Sequence, residues 1–465
     1  MNRSIFFSDK WIHLTFLFWW ITLPFQSKIL GFSMGAFTLY PNLLISVLLF
    51  SYLVFQFKSW NNWFKLLQIF LFFWIIYGIS QALFFKSFSS AFIDIRSLVL
   101  QFLFSSVLFG VYHKIGNADF KSIVVRGIRI VLFILLISGL FEFFTGIHFT
   151  GSKTDEMNLL PVSNHFYAPM FIFDNQNTYL TYVISFVLFL NLFDEKFKVN
   201  LKNQLLLWFL IYLFSLYAES NLAKLVVYIN FLFILFQVFK NEARYQNLKK
   251  YWPYVLSIAL LIGLYFSNER YLGPLFGNST SYRINSFQSV EKDSLNNFRV
   301  EKANEKYSKT EQIQLIKALD SIHKNNPNKS SNVRKQMIYV GMELISNNKI
   351  FGAGPGAFEK YCEANKDRFQ LKTQRSAHNF PIEIISQYGF VAWIYFIIIG
   401  SILFRLFISK FNQSRIQASG MAVFSISIAI CWLMPSAFLL LEVSRIFLPL
   451  MVIYYLSENS IIKNG

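Results

Sequence analysis

Charge is what this sequence has least of: only 15% of its 465 residues are Asp, Glu, Lys or Arg, against about a quarter in soluble domains. Apolar residues make up 54% and aromatic ones 19%. That balance excludes an ordinary water-soluble globule and points to lipid as solvent. Cysteine is nearly absent. Cys362 and Cys431 cannot build a disulfide framework, and without a CxxC pair or a His/Cys cluster no structural zinc site is expected. Internal repeats and low-complexity linkers are missing as well. No small-x-small cleavage site follows the first apolar run, Trp11 to Phe25, so that run is read as an uncleaved first span rather than a signal peptide.

What is there instead is a series of apolar runs long enough to cross about 30 Å of hydrocarbon. They fall near 11–30, 37–57, 63–85, 91–112, 123–147, 172–193, 204–218, 222–240, 251–267, 380–408, 416–434 and 436–457. The expected fold is therefore an all-α polytopic membrane protein of about twelve transmembrane helices. Its expected divisions are residues 1–267 with spans one to nine, a large helical loop over 268–379, and 380–465 with the last three spans and a short tail. The formal charge of +18 does not imply nucleic acid, because most basic residues sit in short loops between the runs. Lys58, Lys114, Arg126, Lys196, Lys249 and Lys410 all fall on one side, whereas the short loops opposite hold only Lys28, Lys86 and Lys153. Positive charge marks the cytoplasmic side. Both termini are then cytoplasmic, and the long basic loop lies outside. Within it, Phe298 to Lys324 and Val333 to Ile345 have the apolar spacing of amphipathic helices, whose structural reading is a solvated helix on the membrane surface.

Ionisable groups in or beside spans are costly and default to functional candidates. Asp94, Arg96, Glu142, Asp174, Glu219 and Lys224 gather at the outer ends of their spans. Taken singly, each also fits a structural ion pair or a side chain snorkelling to the interface. At the end of the loop, Gly352, Gly354 and Gly356 surround Pro355 in FGAGPGAF. No strand precedes them and the spacing matches neither nucleotide-binding pattern, so a tight turn is expected. His378, followed by Asn379 and by Pro381 at a helix start, stands where the loop meets the membrane. Histidine titrates near neutrality, as a base for a hydroxyl nucleophile must. An interfacial histidine bonded to backbone is the structural alternative.

The block that runs from Arg334 through FGAGPGAF to HNFPIEIISQYGFVAW resembles the O-antigen ligase-like family. That family includes O-antigen ligases, O-antigen and exopolysaccharide polymerases and some protein O-oligosaccharyltransferases. FIFDNQNTYLTYV, with Asn175 and Asn177, is similar to the family's entry into a span, and YAESNLAKLV to its SRxxxL element. Here Asn221 stands in place of the usual arginine, with Lys224 the nearest cation, and Gln387 stands where glutamate is common. The resemblance implies transfer of a glycan from undecaprenyl pyrophosphate to a hydroxyl acceptor on the periplasmic face of the bacterial inner membrane. No acidic cluster suggests a divalent metal, so charge chemistry by side chains alone is expected, with no cofactor and no nucleic acid partner. The acceptor is a lipid A-core sugar for a ligase, or a second lipid-linked glycan for a polymerase. Arg334 and His378 are the expected catalytic residues, and Arg96, Lys224, Asn379, Asn175, Asn177 and Glu219 the expected substrate contacts. A lipid-linked oligosaccharide transporter is the non-enzymatic rival.

Overall fold

The computed structural model describes residues 9–25, 32–34, 37–85, 88–145, 149, 169–173, 176–218, 220–240, 329–348, 350–365, 379–434 and 441–463. In lipid every backbone polar group must be satisfied within the segment, and the apolar runs accordingly form helices. These are α1 (Asp9–Thr22), α2 (Pro41–Leu53), α3 (Asn62–Phe84), α4 (Phe88–Ile115), α5 (Asn117–Thr145), α6 (Gln176–Phe193), the short α7 (Glu195–Val199), α8 (Leu201–Tyr217) and α9 (Asn221–Lys240). After the long loop come α10 (Lys329–Asn347), α11 (Ala357–Ala364), α12 (Phe380–Tyr388), α13 (Phe390–Gln413), α14 (Arg415–Cys431) and α15 (Glu442–Lys463). A small antiparallel hairpin, Phe32–Met34 with Phe37–Leu39, departs from the expected all-helical chain. Among the described residues, five helices are long and apolar enough to cross a membrane: Pro41–Ser59, Asn62–Phe84, Ser90–Ile115, Asn117–Thr145 and Phe390–Gln413. Leu201–Tyr217, Asn221–Gln237 and Arg415–Cys431 are shorter apolar helices. The chain is a multi-pass membrane protein. The span expected near 251–267 and the amphipathic helix expected over 298–324 lie outside the described residues.

Polar residues set the helix ends. Asn61, Asn200, Asn379 and Ser414 each accept a backbone N–H from the first turn they precede, supplying partners to donors that a helix start leaves open. Helix α6 is the axis of the bundle, buried at every position from Tyr179 to Leu190. Around it pack α5, α8, α9, α14 and α15, while α4 contacts α2, α3 and α15. Large apolar side chains such as Leu48, Phe55, Leu66 and Phe404 remain exposed on the outside of the bundle, as expected of a lipid-facing surface. The bundle has an upper end, where α3 finishes and α4 begins, and a lower end, where α4 finishes and α5 begins.

One expectation needs correction. The apolar run 380–408 is not one helix: it breaks at Gly389, whose φ of +55° is left-handed. The reason is packing. A Cβ at Gly389 would lie 2.1 Å from the Ile350 carbonyl oxygen, so the glycine admits the loop between α10 and α11 to the joint between α12 and α13. Helix α10 contains the amphipathic helix expected over Val333 to Ile345, and it buries Met337, Val340 and Leu344 against Phe358 and Cys362 of α11, with Ile382 of α12 beside them, rather than lying solvated on the membrane surface. Its apolar face belongs to the protein.

Candidate functional site

The glycine-rich turn is held on both flanks. Gly352, Gly354 and Gly356 have φ of +76°, +91° and +71°, a left-handed conformation that costs other L-residues about 1–2 kcal/mol each. The N–H groups of Ala353 and Gly354 donate to the carbonyls of Ser386 and Gln387 at 2.8 and 2.9 Å, and the Phe390 N–H donates to Ile350 at 2.8 Å. From the other side, the Tyr77 hydroxyl donates to the Phe351 carbonyl at 2.6 Å, joined there by the Gln81 amide. Asp94 accepts the Gly356 N–H at 2.9 Å. A phosphate cradle presents its N–H groups to a ligand, whereas these are spent on protein acceptors. The turn is a bracket joining α3, α4 and α12. An open cleft of about 420 Å³ lies beside it, lined by Phe85, Ser346, Asn347, Asn348, Ile350, Phe351 and Gly352.

Two of the outer carboxylates are structural. Asp94 holds the bracket. Glu142, fully buried at the top of α5, accepts the backbone N–H groups of Phe149, Met170 and Phe171. Phe171 has a φ of +51°, unusual for a bulky residue, and the carboxylate holds it there.

The cations are arranged differently. Lys224, 6% exposed at the top of α9, donates to Asn221 Oδ1 at 3.3 Å. Six residues further on, the Asn230 amide donates to Ser427 Oγ of the antiparallel α14 at 2.8 Å. A rise of 1.5 Å per residue therefore sets Lys224 about 9 Å above Ser427, near the level of Leu433. At that level the Phe380 N–H donates to the Trp432 carbonyl at 3.1 Å. Phe380 is preceded by Asn379, the cap of α12, whose side chain accepts the Ile382 N–H. Lys224 and Asn379 thus share one end of α14. Asn177 lies in the first turn of α6, its carbonyl accepting from Thr181. Arg96 is exposed on α4, with no carboxylate partner among the described residues. Arg334 lies in α10, three residues before buried Met337. His378, Asn175 and Glu219 lie outside the described residues.

One charged group escaped the sequence reading. Arg445 on α15 is 3% exposed, with Nη1 3.5 Å from Glu442 Oε1 and Nη2 3.4 Å from Ser97 Oγ of α4. Glu442 in turn accepts from the Tyr182 hydroxyl of α6. The signal was present in the sequence: two opposite charges spaced i, i+3 inside an apolar run. Among the described residues no group of three or more His, Cys, Asp or Glu side chains converges as a metal site would require.

Residues 204–397 match a family model described as O-antigen ligase. No curated protein matches the chain. The matched stretch carries Lys224, Arg334, the glycine bracket, His378 and Asn379, while Arg96, Asn177, Glu442 and Arg445 reach the upper end from outside it. Over residues 204–397, somewhat less than half of the chain, the protein is thus similar to the O-antigen ligase family, whose members are membrane enzymes.

Proposed function

We propose that this protein is a glycosyltransferase that moves a polysaccharide from undecaprenyl pyrophosphate to a sugar hydroxyl of lipid A-core, as O-antigen ligases do. The observation that carries the reading is the family match over 204–397, which spans the bracket and the entry to α12. In this reading the bundle has about twelve spans in the bacterial inner membrane, with both termini cytoplasmic. The upper end and the loop 268–379 then face the periplasm.

The chemistry follows from the charges. The acceptor hydroxyl attacks the anomeric carbon of the donor, the bond from that carbon to the pyrophosphate oxygen breaks, and His378 takes the hydroxyl proton. Undecaprenyl pyrophosphate leaves with the bonding electrons. Charge grows on that leaving group, so preorganised cations stabilise the transition state more than the ground state. Arg334 presents a planar fork to the phosphates, with Arg96 and Lys224 as further cations. Asn379, Asn175, Asn177 and Glu219 contact sugar or phosphate oxygens. Side chains supply all the positive charge, and no metal takes part.

A polymerase uses the same donor site with a second lipid-linked glycan as acceptor. A transporter is less consistent with charges gathered at one end, since transporters place them near the midplane. Purified protein given lipid-linked glycan with and without lipid A-core separates the readings by product size. Transfer that requires the core supports the ligase, longer lipid-linked chains without core show the polymerase, and no covalent product in either case refutes both.

A further inference from the structure

The buried pair on α15 lies outside the matched stretch and is unused by the chemistry above. A guanidinium offers five N–H donors, yet the contacts of Arg445 to Glu442 and Ser97 are long at 3.5 and 3.4 Å, and its buried Nε has no acceptor among the described residues. A charge kept only to hold helices together is expected in short, bidentate contacts. Glu442 is shared, since its other carboxylate oxygen takes the Tyr182 hydroxyl. The residue beside Ser97 on α4 is Arg96, which is exposed and repels Arg445 electrostatically. Three helices thus hold two guanidiniums near each other, and among the described residues the one carboxylate paired with either is Glu442, on Arg445. An anion relieves such an arrangement.

Resting on the donor reading above, we propose that Arg445 is a positioning residue for the pyrophosphate of the lipid-linked donor. Through Ser97 it fixes the upper turn of α4 from which Arg96 reaches the phosphate, and its buried charge raises the positive potential there. Glu442 and Tyr182 hold Arg445 in place and set how much of that charge is felt.

The test uses the full-length protein in lipid nanodiscs, undecaprenyl pyrophosphate as the binding probe, and transfer kinetics in parallel. Arg445→Gln weakens probe binding and raises the donor KM about tenfold, with kcat changed less than about threefold. Glu442→Gln still accepts the Tyr182 hydrogen bond but removes the neutralising charge, so it tightens probe binding. A merely structural pair would not give opposite signs. Arg445→Lys keeps the charge and lies between wild type and Arg445→Gln, and with Glu442→Gln it carries the test if Arg445→Gln does not insert. Weaker binding in both charge variants overturns the proposal, as does unchanged binding in Arg445→Gln beside a wild type that binds. If the wild type itself does not bind the probe, the donor reading falls and this inference with it.

Discussion

The two ends of the bundle treat charge in opposite ways. At the lower end, Glu458 of α15 accepts from Lys410 of α13 and stands 3.8 Å from Lys121 of α5. The two lysines lie over the Tyr454 ring at 5.8 and 5.7 Å. Arg129 pairs with Asp194, whose other oxygen caps α7. Here each carboxylate has a cation, and the result is a staple across helix ends. At the upper end the carboxylates Asp94 and Glu142 accept backbone N–H groups, while Arg96 has no carboxylate partner among the described residues and Arg445 shares Glu442 with Tyr182. Charge left without a described counter-charge is available to a ligand, and the proposed function puts donor binding at that end.

The sharpest way to break the comparison is at the upper end. His378→Ala is expected to reduce transfer by about 10²- to 10⁴-fold, with donor binding near wild type because the base meets the acceptor. Arg334→Lys keeps a cation but loses the bidentate fork, so transfer falls about 10²-fold, and Arg334→Ala weakens donor binding too. Both variants are compared at equal membrane level, and near-full transfer by either removes its catalytic role. At the lower end the expected loss is in stability alone. Glu458→Gln leaves Lys410 and Lys121 facing each other, costing about 2 kcal/mol, seen as a lower unfolding midpoint with specific activity retained. Arg129→Gln should cost less than about 1 kcal/mol, since Arg129 is half-exposed and Asp194 keeps its backbone partners. EDTA is expected to leave transfer unchanged. Loss restored by magnesium would make Asp174 and Glu219 candidate ligands.

Much of the fold was legible because apolar length is a direct consequence of lipid thickness. The break at Gly389 was not, because the apolar run continues through it and the cause is a loop docked from elsewhere in the chain. The glycines were readable as a turn from spacing alone. Their partners were not: Tyr77, Gln81 and Asp94 lie more than two hundred residues upstream, and no local pattern links them. The same holds for α10, whose amphipathic spacing was visible while the surface that covers it was not. Among the site residues, Lys224 and Asn379 are brought to one end of α14 by pairing that only the folded bundle reveals. Arg445 was not legible as a site residue because Glu442 and Arg445 sit i, i+3 inside an apolar run, and only the folded bundle brings Ser97 and Tyr182 to them.

Sidedness decides whether the upper end meets the acceptor at all. Ser346 is exposed beside the bracket and Gln413 at the foot of α13, so a single cysteine at each position reports one end. Background is low, because Cys362 and Cys431 are buried and burial, helped by Glu359, pushes the Cys362 thiol up to about 11, leaving little reactive thiolate at neutral pH. With a membrane-impermeant maleimide applied to the periplasmic side, the account predicts labelling of Ser346→Cys and none of Gln413→Cys until the membrane is opened. Labelling of Gln413→Cys from outside, with Ser346→Cys protected, would contradict it.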